Sequence, residues 1–295
     1  MFKTLESGKT TQAIPHLVRI LGAGRGASRG LLASICVTTC ILSLTLPAAA
    51  EEDLQDLCSD RPTKSTDPCT VDMGHWQVES DFVSYSDQTD NGLKTETLIV
   101  ADPTVKWGLT GDSDVEVSFT PYETVRQSSA DGHSKVSGFG DIYLRYKNAL
   151  VQESDGSFAL TIEPYIKAPT ASAGLGNGAW EGGAVAPISF ALPLGLTLTT
   201  DPELDVLKNA SGSGYHAGAS TLVDLGRQIT PAVSGAVEIW TNEDFDPAGT
   251  MRQASFDMAL AWLARRELQF DIGLNAGLNA ATPRLQVYNG VTYKF

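Results

Sequence analysis

Apolar and polar residues alternate along most of the chain after Gly74. The clearest stretches are residues 141–147, 158–167 and 269–279, where apolar side chains occupy every second position. A period of two is that of a β-strand with one apolar face and one polar or small face. We find no stretch of more than ten residues with helical spacing, and the pattern therefore predicts an all-β fold.

The alternation predicts twelve strands of about 10 to 15 residues each. They cover residues 75–86, 94–108, 113–125, 138–150, 157–168, 179–191, 194–206, 215–227, 232–242, 252–264, 268–279 and 284–295. Strands of soluble sheets usually have five or six residues, whereas a tilted strand needs about nine to eleven to cross a bilayer. The strand length favours a transmembrane, antiparallel, up-and-down β-barrel over the alternative of a soluble barrel or sandwich.

The predicted connections differ in length between the two ends of this barrel. Those after even-numbered strands are brief, whereas most of those after odd-numbered strands are longer and polar or Gly-rich. The longer ones are residues 87–93, 127–137, 169–178, 207–214 and 243–251. Outer-membrane barrels show this asymmetry, with both termini and the short turns on the periplasmic side.

The C-terminal residues carry a more specific pattern. Gly290, Tyr293 and the terminal Phe295 have the spacing of the signal that the outer-membrane assembly machinery reads. We therefore expect the cell outer membrane of a Gram-negative bacterium as the location. The expected partners are the assembly machinery, outer-membrane lipid and lipopolysaccharide, and a small-molecule solute.

The N-terminal part of the chain reads as a secretory signal peptide. Five basic residues precede an uncharged stretch from Gly30 to Ala50, which ends in Pro-Ala-Ala-Ala before three acids. We expect cleavage after Ala50; the alternative is an N-terminal membrane anchor, because 21 uncharged residues could span a bilayer. The predicted organisation is a signal peptide at 1–50, a periplasmic N-terminal segment at 51–74 and an outer-membrane barrel at 75–295.

Charge and cysteine content sharpen this picture. The 295 residues carry a formal net charge of −14, a sign that argues against nucleic acid as a partner. Without residues 1–50 the chain keeps 16 basic and 34 acidic residues among 245, a net charge of −18. Its two remaining cysteines, Cys58 and Cys69, are a candidate disulfide in an oxidising compartment, although spacing alone leaves the bridge open.

The polar faces of the predicted strands would line the barrel lumen. On the predicted registers these positions are Gln77, Glu79, Asp81, Asp102, Lys106, Glu116, Asp141, Arg145, Lys147, Glu163, Lys167, Glu181, Asp257, Asp271 and Asn275. A selectivity lining would be formed by Glu79, Asp141, Arg145, Glu163 and Lys167. The alternative is a polar interior whose charges satisfy one another and stabilise the barrel.

The sequence predicts no enzyme, and we expect neither a catalytic residue, a metal nor a cofactor. His216 lies near Ser213 and Ser220 and could form a dyad with one of them, but a lumen or loop histidine explains it as well. The acids Glu243, Asp244 and Asp246 lie in a predicted outer loop, where they either bind divalent cations or are simply solvated.

Four stretches resemble a family of outer-membrane barrels labelled as transporters of the meta pathway of phenol degradation. They are Asp60-Arg61-Pro62-Thr63, Gly74-His75-Trp76-Gln77-Val78-Glu79, Gly138-Phe139-Gly140-Asp141-Ile142 and the Glu-Pro-Tyr-Ile-Lys-Ala-Pro-Thr run from Glu163 to Thr170. The similarity extends over about residues 60–295. The chain departs from the family pattern at Asp72-Met73, where prolines are expected, and in having Cys58 and Cys69.

Three functions are consistent with these patterns. The first is an outer-membrane channel for passive uptake of small molecules, aromatic or hydrophobic ones included, which is also what the resemblance implies. The second is an outer-membrane lipid hydrolase that uses His216. The third is a structural barrel whose lumen is occluded.

Overall fold

The computed structural model describes residues 55–295, and it confirms the predicted fold: a closed, antiparallel, all-β barrel of twelve spans. No helix within these residues is long and apolar enough to cross a membrane. The predicted signal peptide and its cleavage site at Ala50 lie outside the described residues.

Seventeen strands make up the twelve spans, because five of the spans are each interrupted once. The seven continuous spans are β1 (Trp76–Asp90), β8 (Phe158–Ala168), β13 (Tyr215–Thr230), β14 (Val233–Asp244), β15 (Met251–Arg265), β16 (Leu268–Gly277) and β17 (Leu285–Lys294). The interrupted spans are β2 (Leu93–Val100) with β3 (Thr104–Thr110), β4 (Ser113–Ser118) with β5 (Tyr122–Ser129), β6 (Gly132–Gly138) with β7 (Ile142–Gln152), β9 (Glu181–Val185) with β10 (Ile188–Leu192), and β11 (Leu196–Thr200) with β12 (Glu203–Lys208). A short 3-10 turn, Pro193–Gly195, joins β10 to β11.

The barrel closes because β17 pairs antiparallel with β1, from Gln77 opposite Lys294 to Asp87 opposite Leu285. The interruptions have a chemical cause. Four of them contain a proline, at positions 103, 121, 187 and 202, and the fifth contains Gly140. A proline has no backbone N–H to donate to the neighbouring strand, so the ladder breaks there.

Two of the predicted long connections are wrong. The region predicted as a loop at 87–93 is a hairpin in which Asn91 and Gly92 form the turn, with φ angles of 48° and 81°. The region at 127–137 is likewise strand, because β5 pairs with β6 up to Ser129 opposite Gly132. Asn-Gly supports the left-handed backbone of a tight hairpin turn, which lets the two strands extend past the predicted loop bounds.

The barrel has a terminal end, where the chain termini of the barrel lie, and a loop end, where the longer connections lie. The terminal end holds Trp76 and Phe295, whose backbones are hydrogen-bonded to each other. The loop end holds the longer connections, residues 169–180, 209–214, 245–250 and 278–284.

The two faces of the wall have opposite character. Apolar side chains on the outer face are exposed, such as Leu204 at 70% and Ile272 at 58%. The largest fully buried side chains are instead mostly polar and include Lys106, Lys147 and Glu163. An exposed apolar exterior around a polar interior is the arrangement expected of a barrel whose outside contacts lipid.

Candidate functional site

The lumen is not empty, because residues 55–74, named here the inserted segment, lie inside it. Hydrogen bonds to this segment come from side chains on β1, β3, β4, β7, β8, β14, β15, β16 and β17. The end of the segment is fixed to the wall by a backbone bridge between Met73 and Gly108. The sequence predicted a periplasmic segment here, and the position of its described part within the lumen is a finding of the structure.

The inserted segment forms a loop with both of its ends at the terminal end of the barrel. Lys294 donates to the carbonyl oxygen of Gln55 at 2.7 Å and pairs with Asp72 at 2.9 Å. Cys58 and Cys69 form a disulfide across the loop. The residues between the two cysteines therefore project into the lumen as one covalently closed loop.

Arg61 anchors this loop to the wall. Its Nε and Nη2 atoms donate to the two carboxylate oxygens of Asp271 at 2.9 and 2.6 Å, and Nη1 donates to Asp81. Asp81 on β1 and Asp271 on β16 both lie opposite Gly290 of β17. A methyl group on Gly290 would overlap the guanidinium group, so the absence of a side chain there makes room for Arg61.

Lys64 makes a second anchor. Its ammonium group pairs with Asp257 and donates to Ser255 Oγ at 3.0 Å, both on β15. The same ammonium group lies 5.2 Å from the ring centroid of Trp240 on β14. The aromatic face adds a cation–π attraction to the ion pair.

Asp60 carries the opposite charge and contacts the other side of the lumen. It pairs with Lys147 at 2.8 Å and with Lys106, both of which are fully buried. Lys106 also pairs with Glu79 at 2.8 Å, and Lys147 lies 3.8 Å from Glu163. Asp60 thus completes a network of wall charges that its carboxylate helps to neutralise.

Backbone amides of the inserted segment neutralise further wall acids. The N–H groups of Ser65 and Thr66 donate to Glu238 at 2.9 Å and to Asp201 at 2.6 Å. The N–H group of Val71 donates to Asp114 at 2.9 Å. A buried carboxylate is costly without such donors, and these bonds hold the segment in a defined position.

The five predicted lumen residues are all buried, and they divide between two clusters. Glu79, Arg145 and Glu163 belong to the network around Asp60, and Arg145 Nε lies 3.3 Å from Glu163. Asp141 and Lys167 form the other cluster, with their charged atoms 2.9 Å apart.

The Asp141–Lys167 cluster holds the connection at the loop end. The N–H groups of Thr170 and Ala171 each donate to Asp141 at 2.9 Å, and Lys167 donates to Asn177 at 2.8 Å. These two side chains therefore fold part of the connection inwards. A role of the five predicted residues in selectivity stays a prediction.

One carboxylate cluster has the spacing of a metal site. Oxygens of Asp60, Glu116 and Glu163 lie within 4.8 Å of one another. The ammonium groups of Lys106 and Lys147 stand among them, with Lys147 within 3.7 Å of Glu116 and 2.8 Å of Asp60. The two ammonium groups and Arg145, which lies 3.3 Å from Glu163, already supply three positive charges to the three carboxylates, so the geometry favours an ion-pair network over a cation site.

A cavity of about 340 Å³ lies beside the inserted segment at the terminal end. On one side it is bounded by residues 59–67 of the segment, and on the other by inward positions of β11, β13, β14 and β15. A second, much smaller cavity of about 20 Å³ lies nearer the loop end and is lined by Lys64 and Trp240. The tip of the inserted segment, Thr63 to Ser65, separates the two cavities.

His216 does not bind either serine proposed for a dyad. Its Nδ1 and Nε2 atoms lie 2.8 Å from Asn209 and 2.5 Å from Asp244. The neighbouring Asp246 accepts hydrogen bonds from the N–H groups of Ala210 and Ala248, which lower the pKa of its carboxyl group. This cluster ties two loop-end connections together.

Sequence reasoning missed the charged residues of the inserted segment and some of the acids on the barrel wall. It assigned no contact to Asp60, Arg61 or Lys64, and it left out the buried acids Asp224 and Glu238. A readable signal was present, because inward positions on β13 to β16 carry several acids and their counter-charges lie in the short loop between the two cysteines.

The fold and family of the chain follow from comparisons with known proteins. A family model described as "Putative MetA-pathway of phenol degradation" matches residues 59–295. The COG4313 outer membrane channel from Pseudomonas putida F1 has the same fold, with a TM-score of 0.64 and 15% sequence identity, and the match covers 79% of this chain and 100% of that chain.

Two further solved structures are less similar. The NanC porin has a TM-score of 0.48 and 9% identity, with 75% of this chain and 100% of that chain covered. The CymD monoaromatic hydrocarbon channel has a TM-score of 0.44 and 11% identity, with 76% and 88% covered. No curated protein matches the chain.

Proposed function

The chain belongs to the family described as "Putative MetA-pathway of phenol degradation", and from this we propose that it is an outer-membrane channel for passive uptake of small molecules, aromatic or hydrophobic ones included. The family description supplies the aromatic substrate class. The terminal end would then face the periplasm, as outer-membrane barrels place both termini there.

The observation that supports transport best is the free volume in the lumen. A cavity of about 340 Å³ is within the range of ligand sites, and a cavity of about 150 Å³ already holds benzene. Barrels of about eight strands fill their interior with side chains, whereas this barrel of twelve spans keeps free space beside the inserted segment. The cavity reaches the tip of the inserted segment, so a shift of that tip would connect it with the loop end.

Planar bilayers test this function. We expect the purified full chain to form channels of small conductance, and vesicles that contain it to take up a neutral single-ring solute faster than protein-free vesicles. The variant Lys64→Ala has a weakened tip contact and serves as a second test. If both the wild type and this variant show no conductance and no faster uptake, the channel function is refuted.

A structural barrel with an occluded lumen is the second candidate, because the inserted segment is bonded to most sides of the wall. The same pair of proteins separates the two functions. A channel blocked by the segment conducts when Lys64 is replaced, whereas a structural barrel conducts in neither form. The third candidate is a lipid hydrolase, which predicts that His216→Ala abolishes lipid hydrolysis. We expect the wild type to show no lipid hydrolysis.

A further inference from the structure

The cavity beside the inserted segment has one wall of unusually small side chains. Its inward positions include Gly226 on β13, Ala236 on β14, and Ala259 and Ala261 on β15. At the same end of the barrel, the inward positions of β1 and β3 carry long side chains instead. The free volume therefore follows from the amino acids of this wall and not from barrel size alone.

Asp224 on β13 lines this cavity and has no hydrogen-bond or ion-pair partner among residues 55–295. The residue is 5% exposed. Two neighbouring acids of the wall have ion-pair partners, Asp257 with Lys64 and Asp271 with Arg61. A buried carboxylate without a donor is costly, so a cation bound beside Asp224 would stabilise it.

The strand register increases this demand. Asp224 lies directly opposite Glu238, and Glu238 lies directly opposite Asp257 on the next strand. Like charges that face each other across neighbouring strands repel. Lys64 pairs with Asp257, and the N–H group of Ser65 donates to Glu238, whereas no side chain of the described part of the chain pairs with Asp224 at the end of this acidic row.

The other charged groups around the cavity do not compensate Asp224. The acids are Asp60 and Asp67, and the cations are Arg61 and Arg227. Arg61 is held by Asp81 and Asp271, and Arg227 is an exposed residue next to the turn at the terminal end. A positively charged solute in the cavity would meet Asp224 as its buried counter-charge.

We propose that Asp224 is a cation-binding position in the cavity, and that it makes the pore prefer single-ring solutes with a positive charge, such as protonated amines, over anions of the same size. The proposal rests on the channel function and adds a substrate class to it. One negative charge about 4 Å from a solute charge in watery surroundings favours a cation about fivefold and disfavours an anion about fivefold, which changes their permeability ratio by up to about 25-fold. The small side chains of the wall leave space for the ring, and Asp224 supplies the charge.

Reversal potentials in planar bilayers test the proposal with the full chain. Benzylammonium and benzoate serve as probes, because they share one ring and differ in the sign of their charge. We expect the wild type to favour benzylammonium over benzoate at least about fivefold. We expect Asp224→Asn to bring this ratio close to one, Asp224→Glu to keep it, and Thr199→Lys, which puts a cation opposite Asp224, to lower it as well.

Two controls separate charge from shape and from surface effects. Asp112→Asn removes an exposed acid from a turn at the same end of the barrel and should leave the ratio unchanged. Ala236→Leu should lower the conductance by filling the cavity while the preference remains.

The outcomes distinguish this proposal from the channel function. A wild type that conducts without favouring the cation overturns the proposal, as does a preference that both Asp224→Asn and Thr199→Lys leave intact. In each of these cases the conductance still supports the channel. Absence of conductance in every protein, Lys64→Ala included, refutes the channel itself and the proposal with it.

Discussion

Replacement of Arg61 by alanine should release the inserted segment from the barrel wall. In the structure the side chain is 6% exposed and binds Asp271, which is fully buried, and Asp81, which is nearly so. Loss of the guanidinium group leaves two carboxylates without a counter-charge. Removal of one partner from a buried pair costs about 3–5 kcal/mol, and the lower figure alone shifts an equilibrium more than about 100-fold.

That cost applies to the inserted state of the segment, because a released segment lets water reach both acids. We therefore expect Arg61→Ala to spend far more time in a high-conductance state in planar bilayers than the wild type does. A second readout is limited trypsin cleavage after Lys64 from the terminal end, which should be slow in the wild type and fast in the variant. The folded barrel, checked by heat-modifiable gel mobility, should persist.

Two control variants isolate the charge effect. Arg61→Lys keeps the charge but cannot contact both acids with a planar fork, and it should give an intermediate open fraction. The triple variant combines Arg61→Ala with Asp81→Asn and Asp271→Asn. None of these three positions then carries a charge, so the open fraction should fall below that of Arg61→Ala alone. Equal conductance and equal cleavage in Arg61→Ala and the wild type, with both proteins folded, would refute this reasoning.

The remaining predictions concern the other contacts of the inserted segment. Gly290→Ala should raise the open fraction, because a methyl group would overlap the Arg61 guanidinium as well as the carbonyl oxygen of Ser80. In an Arg61→Ala background only the overlap with Ser80 remains, so the effect should be smaller there; equal effects in both backgrounds would contradict this explanation. Lys64→Ala should raise conductance and join the two cavities, seen as passage of larger neutral solutes, and an unchanged size limit would argue against a barrier at the tip. Replacement of Cys58 and Cys69 by serine should destabilise the inserted loop by about 3 kcal/mol, measured as faster proteolysis of the segment, while thermal unfolding of the barrel stays near that of the wild type.

The spans themselves were predictable from the sequence because each strand has to satisfy two different surroundings. Residues 141–147 and 158–167 alternate between lipid-facing and lumen-facing positions, and a period of two records that alternation directly. The interruptions also have a signal in the sequence, which is a proline such as Pro103 or Pro121. The alternating pattern continues on both sides of each proline, however, so the break is not visible from the pattern. The turn at residues 91–92 was a readable Asn-Gly signal inside a region predicted as loop.

The inserted segment could not be predicted in the same way. Its contacts join residues far apart in the chain, such as Arg61 and Asp271, and no local period records such a pairing. On β13 and β14 the alternation is further blurred, because the apolar side chains of Leu222 and Trp240 face each other and are buried. Asp224 follows this apolar pair, and its inward position becomes clear only from the strand register.

The position of Arg61 also sets an order for biogenesis. Its two acidic partners lie on the first and the eleventh span, and they become neighbours only when the last span, β17, pairs with β1. Ser59 likewise reaches Thr292 on β17, with their hydroxyl groups 2.7 Å apart. The binding site for the segment is thus a product of barrel closure. Both ends of the segment leave by the same mouth, so it can enter last without being threaded, and an unclosed barrel cannot hold it.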